Sequence, residues 1–212
     1  HGFGTGGHRS TTEWLIRHGA DVRATTLDGN SVVHWCAWAG QKKLLAWLAA
    51  QVNRRQPSGE DAPSLESLPT EATHVRSASL RDSAASQMMR ALNHKGCSAA
   101  HWAASGGDLE TCIALAEEYG VDFSEPNIEG NTPLTKAIEH GREPVVTWLL
   151  TSGRCETAVG EAAGYAARLA ARHSADDVTE RISELLQCYL VARHYLQCKR
   201  DAAAMASVDF RY

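Results

Sequence analysis

Between Asn127 and Gly153, apolar positions recur with a helical period twice over. Leu134, Ala137 and Ile138 form one stripe, and Val145, Val146, Trp148, Leu149 and Leu150 form a second, so the segment predicts two short amphipathic helices in succession. The polar punctuation agrees with that reading. A turn at Glu129-Gly130 precedes Thr132, whose hydroxyl can accept the orphan backbone N–H groups of a helix N-terminus, and Pro133 follows at the first helical position, where no donor is needed. Gly141 and Gly153 supply the positive-φ positions at which each helix stops.

The same frame recurs along the chain. Gly96 stands 34 positions before Gly130, and Lys95 through Leu115 repeats the pattern; Asp28 through Leu48 repeats it again, with Ser31 and Ser98 in the capping place of Thr132. Gly7 through Ile16, followed by Gly19-Ala20-Asp21-Val22, matches the second helix and closing turn of a unit whose first helix is missing. The tryptophans check the frame independently. Trp14, Trp47 and Trp148 occupy one slot on the second helix, Trp35 and Trp102 share another directly after the repeat histidines His34 and His101, and Trp38 alone is out of step. This period and order resemble the ankyrin repeat, in about four to five copies. The resemblance implies an all-α solenoid of stacked helix-turn-helix units. It departs from the family pattern where only Pro133 keeps the proline of the signature and Thr135 replaces the histidine of its unit.

The frame divides the chain into residues 1–51, with a truncated first repeat; 52–91; 92–186, with a degenerate C-terminal cap; and 187–212, a helical extension. Gly29 to Gly96 is 67 positions, about two repeat lengths, yet 52–91 carries Pro57, Pro63, Pro69 and many serines and lacks a second copy of the helix pattern. It is either an insertion or a decayed repeat; composition favours the insertion, and its end, Ser79 to Leu92 with Leu80, Met88, Met89 and Leu92, reads as a short helix lying back on the solenoid. An interrupted array would split its inner surface in two. Toward the C-terminus, Gly164 to Ala170 stands in for a first helix and residues 174–177 for a cap. Val178, Ile182, Leu185, Leu186 and Tyr189 then mark a helix running to about Lys199, read as a cap on the stack or as an element docking on another protein.

Composition narrows the function. With 43% apolar and 22% charged residues the chain is an ordinary globular sequence, without an apolar run that would span a membrane. A net charge of −4 argues against direct nucleic-acid binding. Six cysteines are too sparse for a disulfide scaffold, and Cys36 and Cys112 stand at small apolar core positions, which points to reduced thiols and an intracellular, reducing compartment, cytoplasmic or organellar. The chain begins at His1 and halfway through a repeat, as a fragment or processed form would. Its Gly2 to Gly7 stretch has the letters of a dinucleotide loop without the preceding strand, and residues 76–79 have the look of a kinase site that short sequences show freely. His94, Cys97 and His101 are close in sequence but lack a fourth ligand for zinc, and neither they nor Glu117-Glu118 and Asp176-Asp177 assemble a nucleophile or acid–base pair. No cofactor, metal or catalytic residue is expected.

What the resemblance implies is a partner-binding inner face built from turn tips and the exposed flank of each first helix. In this numbering the positions are Leu27, Asp28, Asn30 and Trp38; His94, Lys95, Cys97 and Ser105; and Ile128, Glu129, Asn131, Glu139 and His140, with Leu190 and Tyr195 on the terminal helix. Trp38 is the expected anchor, unless it covers the insertion or packs on Trp35. The expected role is a non-enzymatic protein–protein interaction module, an accessory or scaffolding subunit of a hetero-oligomeric assembly; the alternative is the regulatory ankyrin portion of a longer enzyme or channel.

Overall fold

The computed structural model describes residues 9–54, 83–155, 158–172 and 177–208. The glycine-rich start, residues 76–79, Leu80 and residues 174–176 lie outside them. Ten helices are present among the described residues: α1 Arg9–Arg17, α2 Val32–Trp38, α3 Lys42–Arg54, α4 Ala84–Met89, α5 Ala99–Gly106, α6 Leu109–Glu118, α7 Pro133–Glu139, α8 Glu143–Thr151, α9 Val159–Arg172 and α10 Asp177–Val208. There is no strand among those residues, only an isolated bridge between Thr25 and Ser31.

The helices start where the capping residues dictate. Thr132 accepts from the Thr135 amide, Asp108 from Thr111 and Ser98 from Ala100. First helices α2, α5, α7 and α9 stack side by side as an inner row, while α3, α6 and α8 pack behind their own partners. Leu45, Leu48, Leu115, Leu134, Ile138 and Leu149 are fully buried between the rows. Each such side chain contributes roughly 1.5–3 kcal/mol relative to exposure, which offsets the weak intrinsic stability of helices of seven to 13 residues.

Two glycines hold the inner row together by having no side chain. A Cβ at Gly106, in α5, would meet the Trp38 carbonyl oxygen at 2.1 Å, and one at Gly107 would meet Arg142 Cδ at 2.4 Å. Helix α2 therefore touches α5 backbone to backbone. This contact bears on the expected interruption. Repeats at Gly29 and Gly96 are direct neighbours, since the His94 amide donates to the Asp28 carbonyl at 3.0 Å and His34 Nε2 to the Cys97 carbonyl at 3.0 Å. No unit stands between them, and the inner surface is continuous rather than split. The chain leaves this junction from the outer helix α3 and returns through α4, whose buried Ala85 and Met89 lie back on α3, with Asn53 Oδ1 accepting from the Ala85 amide at 3.2 Å.

At the far end, α9 and the first half of α10 close the stack. Ile182 and Leu186 are fully buried and Val178 Cγ1 lies over Gly141, as Asp108 lies over Gly40 two units earlier and Arg142 over Gly107 one unit earlier. Helix α10 continues to Val208, past the Lys199 end expected from apolar periodicity, and from Val191 to Asp201 its side chains are exposed. Among the described residues no helix is long and apolar enough to cross a membrane.

Candidate functional site: a recess on the inner face

Three turns project from the inner row: 26–29, 93–96 and 127–130. Each closes with a glycine amide donating to the first residue's carbonyl: Gly29 to Thr26, Gly96 to Asn93 and Gly130 to Asn127, all at 2.9 Å. The glycines have φ of 78°, 73° and 80°, a region other residues enter only with strain. Asparagine side chains brace the second and third turns from within. Asn93 Oδ1 accepts from the Lys95 and Cys97 amides, and Asn127 Oδ1 from Glu129 and Asn131. Turns also bind one another, through His94 N to Asp28 O and Ile128 N to Lys95 O at 3.1 Å.

Two histidines tie the units beneath the turns. His34 Nδ1 accepts from the Ser31 amide at 3.1 Å, which can only donate, so Nε2 carries the proton it gives to Cys97 O. His101 repeats this with the Ser98 amide and, at 3.0 Å, the Asn131 carbonyl. Burial pushes the pKa of both below the usual histidine value, His101 to about 4, so both rings are neutral near pH 7. Thr135, the replacement in the third unit, turns its hydroxyl back to the Thr132 carbonyl at 2.7 Å and makes no such tie.

Between the turns and the first helices lies a recess of about 260 Å³, lined by Trp38, Asn93, Lys95, Cys97, His101, Trp102, Ser105, Lys136 and His140. It gathers Trp38, Lys95, Cys97, Ser105 and His140 from the sequence reading. Trp38 is 43% exposed, and it is Trp102, not Trp38, that meets the Trp35 ring, at 5.1 Å and 62°. Ser105 is fixed from both sides, its hydroxyl donating to the His101 carbonyl and its own carbonyl accepting from Arg142 Nε. Lys136 Nζ hydrogen-bonds Glu139 at 2.7 Å; burial alone would lower its pKa, but the Glu139 hydrogen bond and charge outweigh it and raise the value.

One position needs correction. Cys97 is not an exposed contact but a buried floor: its amide is held by Asn93, its carbonyl by His34, and its sulfur accepts from Asn127 Nδ2 at 3.2 Å. The slot after each turn glycine points inward, and half-buried Asn30 and Asn131 share it, Asn30 accepting from Asn93 Nδ2 and Asn131 supplying the carbonyl to His101. Along the turn row, Leu27, Asp28, His94, Ile128 and Glu129 are exposed, Leu27 at 98% and Ile128 at 77%. Leu190 is half-buried against the core, and Tyr195 stands exposed under Lys199 Nζ at 5.0 Å; neither belongs to the recess. Asn93, His101, Trp102 and Lys136 are the recess residues that the sequence reading did not place on the binding face. Lys136 follows Thr135 as Trp35 and Trp102 follow the histidines, so the register that sorts the tryptophans marks this slot too.

Among the described residues no three His, Cys, Asp or Glu side chains gather as metal ligands. Stacked two-helix units with turns projecting along one edge make the molecule a helical-repeat solenoid. A model of ankyrin repeats in three copies matches residues 78–159, and one of ankyrin repeats in many copies matches residues 5–49. The chain belongs to the ankyrin-repeat family, whose repeats are protein–protein interaction modules and in general not catalytic. No curated protein matches it.

Proposed function

We propose that this chain is a non-enzymatic accessory or scaffolding subunit of a hetero-oligomeric assembly, and that its partner docks on the inner face over the recess between α2 and α7. The observation that carries this reading is Trp38. A large aromatic ring 43% exposed beside a concave, partly polar wall is the kind of group that anchors interfaces, because its burial on binding removes much apolar area at small conformational cost. Two further elements, the Ser/Pro-rich sequence between α3 and α4 and the exposed 191–201 stretch of α10, suit a subunit that touches more than one neighbour. Six free thiols, four of them buried, fit a reducing intracellular compartment.

The test is the native mass of the tagged chain in gently lysed source cells, with identification of co-eluting proteins. Wild type is expected well above 23.0 kDa with a constant set of companions. Trp38→Ala should release them, with apparent affinity weakened by about thirty-fold or more. Elution of the wild type as a lone chain, or companions that ignore Trp38→Ala, overturns the reading.

A further inference from the structure

The recess has a definite charge. Its lining includes two lysines and neither an aspartate nor a glutamate. Lys95, on the second turn, is exposed and its Nζ has no ion-pair partner among the described residues; Lys136 commits one of its three protons to Glu139, which leaves two donors for a ligand. The rings of Trp38 and Trp102 form the apolar wall beside them. His101, on the floor, adds no donor, since its Nε2 proton is given to Asn131.

We infer that the partner presents an acidic side chain to this recess: the carboxylate of an Asp or Glu, held by Lys95 and Lys136, with a neighbouring apolar residue of the same segment laid on Trp38. The inference rests on the inner-face reading above and specifies its chemistry. A carboxylate is favoured over a phosphate because no arginine lines the recess, and phosphate-reading sites draw on the guanidinium fork and on clusters of charge. A polyanion is disfavoured by the surroundings. Exposed Asp28 and Glu129 flank the turn row and Glu139 borders Lys136, so a uniformly negative chain meets repulsion on either side of this cationic spot, whereas a single carboxylate in an otherwise apolar segment does not. The volume of about 260 Å³ has room for side chains rather than a folded element, which suits an extended segment.

The experiment uses the full chain as bait for a displayed library of short random peptides, in parallel with Lys95→Glu and Trp38→Ala. Wild type is expected to enrich peptides with Asp or Glu next to an aliphatic or aromatic residue. Lys95→Glu should lose the acidic preference while keeping the wild-type melting temperature, because the Lys95 side chain is exposed. A selected peptide, resynthesised, should bind about ten-fold or more weakly after Glu→Gln replacement or to Lys95→Glu. Its affinity should also fall with salt. Absence of any selected peptide, or enrichment without acidic bias, overturns the inference, as does stronger binding of a phosphoserine version. The native-extract experiment separates the two readings. Companions released by Trp38→Ala but retained by Lys95→Glu leave the inner-face interface standing and remove its acidic character; companions retained by both remove the interface itself.

Discussion

At the scale of the residue, the informative groups are those whose chemistry the fold has silenced. His101 is neutral because burial withdraws water from its charged form, and its pKa falls to about 4 against 6.5 in an unfolded chain. Above pH 6.5 both states hold the ring neutral and its contribution is complete. As the pH drops from 6.5 toward 4, the unfolded chain takes the proton first, so stability is lost across that window and the loss levels off below it. The shift corresponds to about 3 kcal/mol. Urea unfolding of wild type and His101→Gln at pH 7 and pH 4 should show a steeper fall for the wild type; parallel curves would mean the ring is not buried as described. The thiols divide in the same way. Burial raises the pKa of Cys36 and Cys112 to about 12, and Cys97 and Cys155 are buried as well, while Cys188 and Cys198 stand exposed on α10. A thiol reagent at pH 8 should therefore modify two groups rapidly in the native protein and the other four only on denaturation, counted by mass spectrometry.

At the scale of the element, the close approach of α2 and α5 is the sharpest constraint. Gly106→Ala places a methyl against the Trp38 carbonyl, a backbone atom that cannot step aside, so the helices must part; we expect a loss of about 2–4 kcal/mol. Gly130→Ala meets nothing within 4 Å and pays only for its φ of 80°, about 1–2 kcal/mol. Chemical denaturation that ranks the pair the other way would refute the packing. Such elements were legible beforehand to different degrees. Ser98, Thr132, Pro133 and the turn glycines announce the helices because capping and positive φ are local requirements that few residue types meet. The recess was legible through Trp38, which breaks the tryptophan register, but Lys136 was not, since a lysine on a short helix reads as a solvated face until its slot is matched to Trp35 and Trp102. Cys97 was misplaced because its inward turn depends on Asn127 and His34, residues 30 and 63 positions away. The end of α10 was missed because Ala202-Ala203-Ala204 sustains a helix by intrinsic propensity, which leaves no apolar stripe to follow.

At the scale of the whole molecule, stability resides in junctions between units, and the two halves of α10 differ accordingly. Truncation after Leu190 removes a stretch whose side chains are exposed from Val191 to Asp201 and should change the melting temperature little, whereas truncation before Asp177 strips the fully buried Ile182 and Leu186 and should lower it by many degrees. Calorimetry on the two truncations distinguishes a cap from a mere extension. The row of turns carries a different kind of information. Each turn lends a single amide proton to the one before it, His94 to Asp28 and Ile128 to Lys95, and nothing comparable covers Gly130. Those two protons exchange with deuterated solvent only when their own junction opens. Their rates, read side by side by NMR, would give the opening free energy of two successive junctions in one molecule, and would tell whether the stack frays from its uncovered end or comes apart all at once.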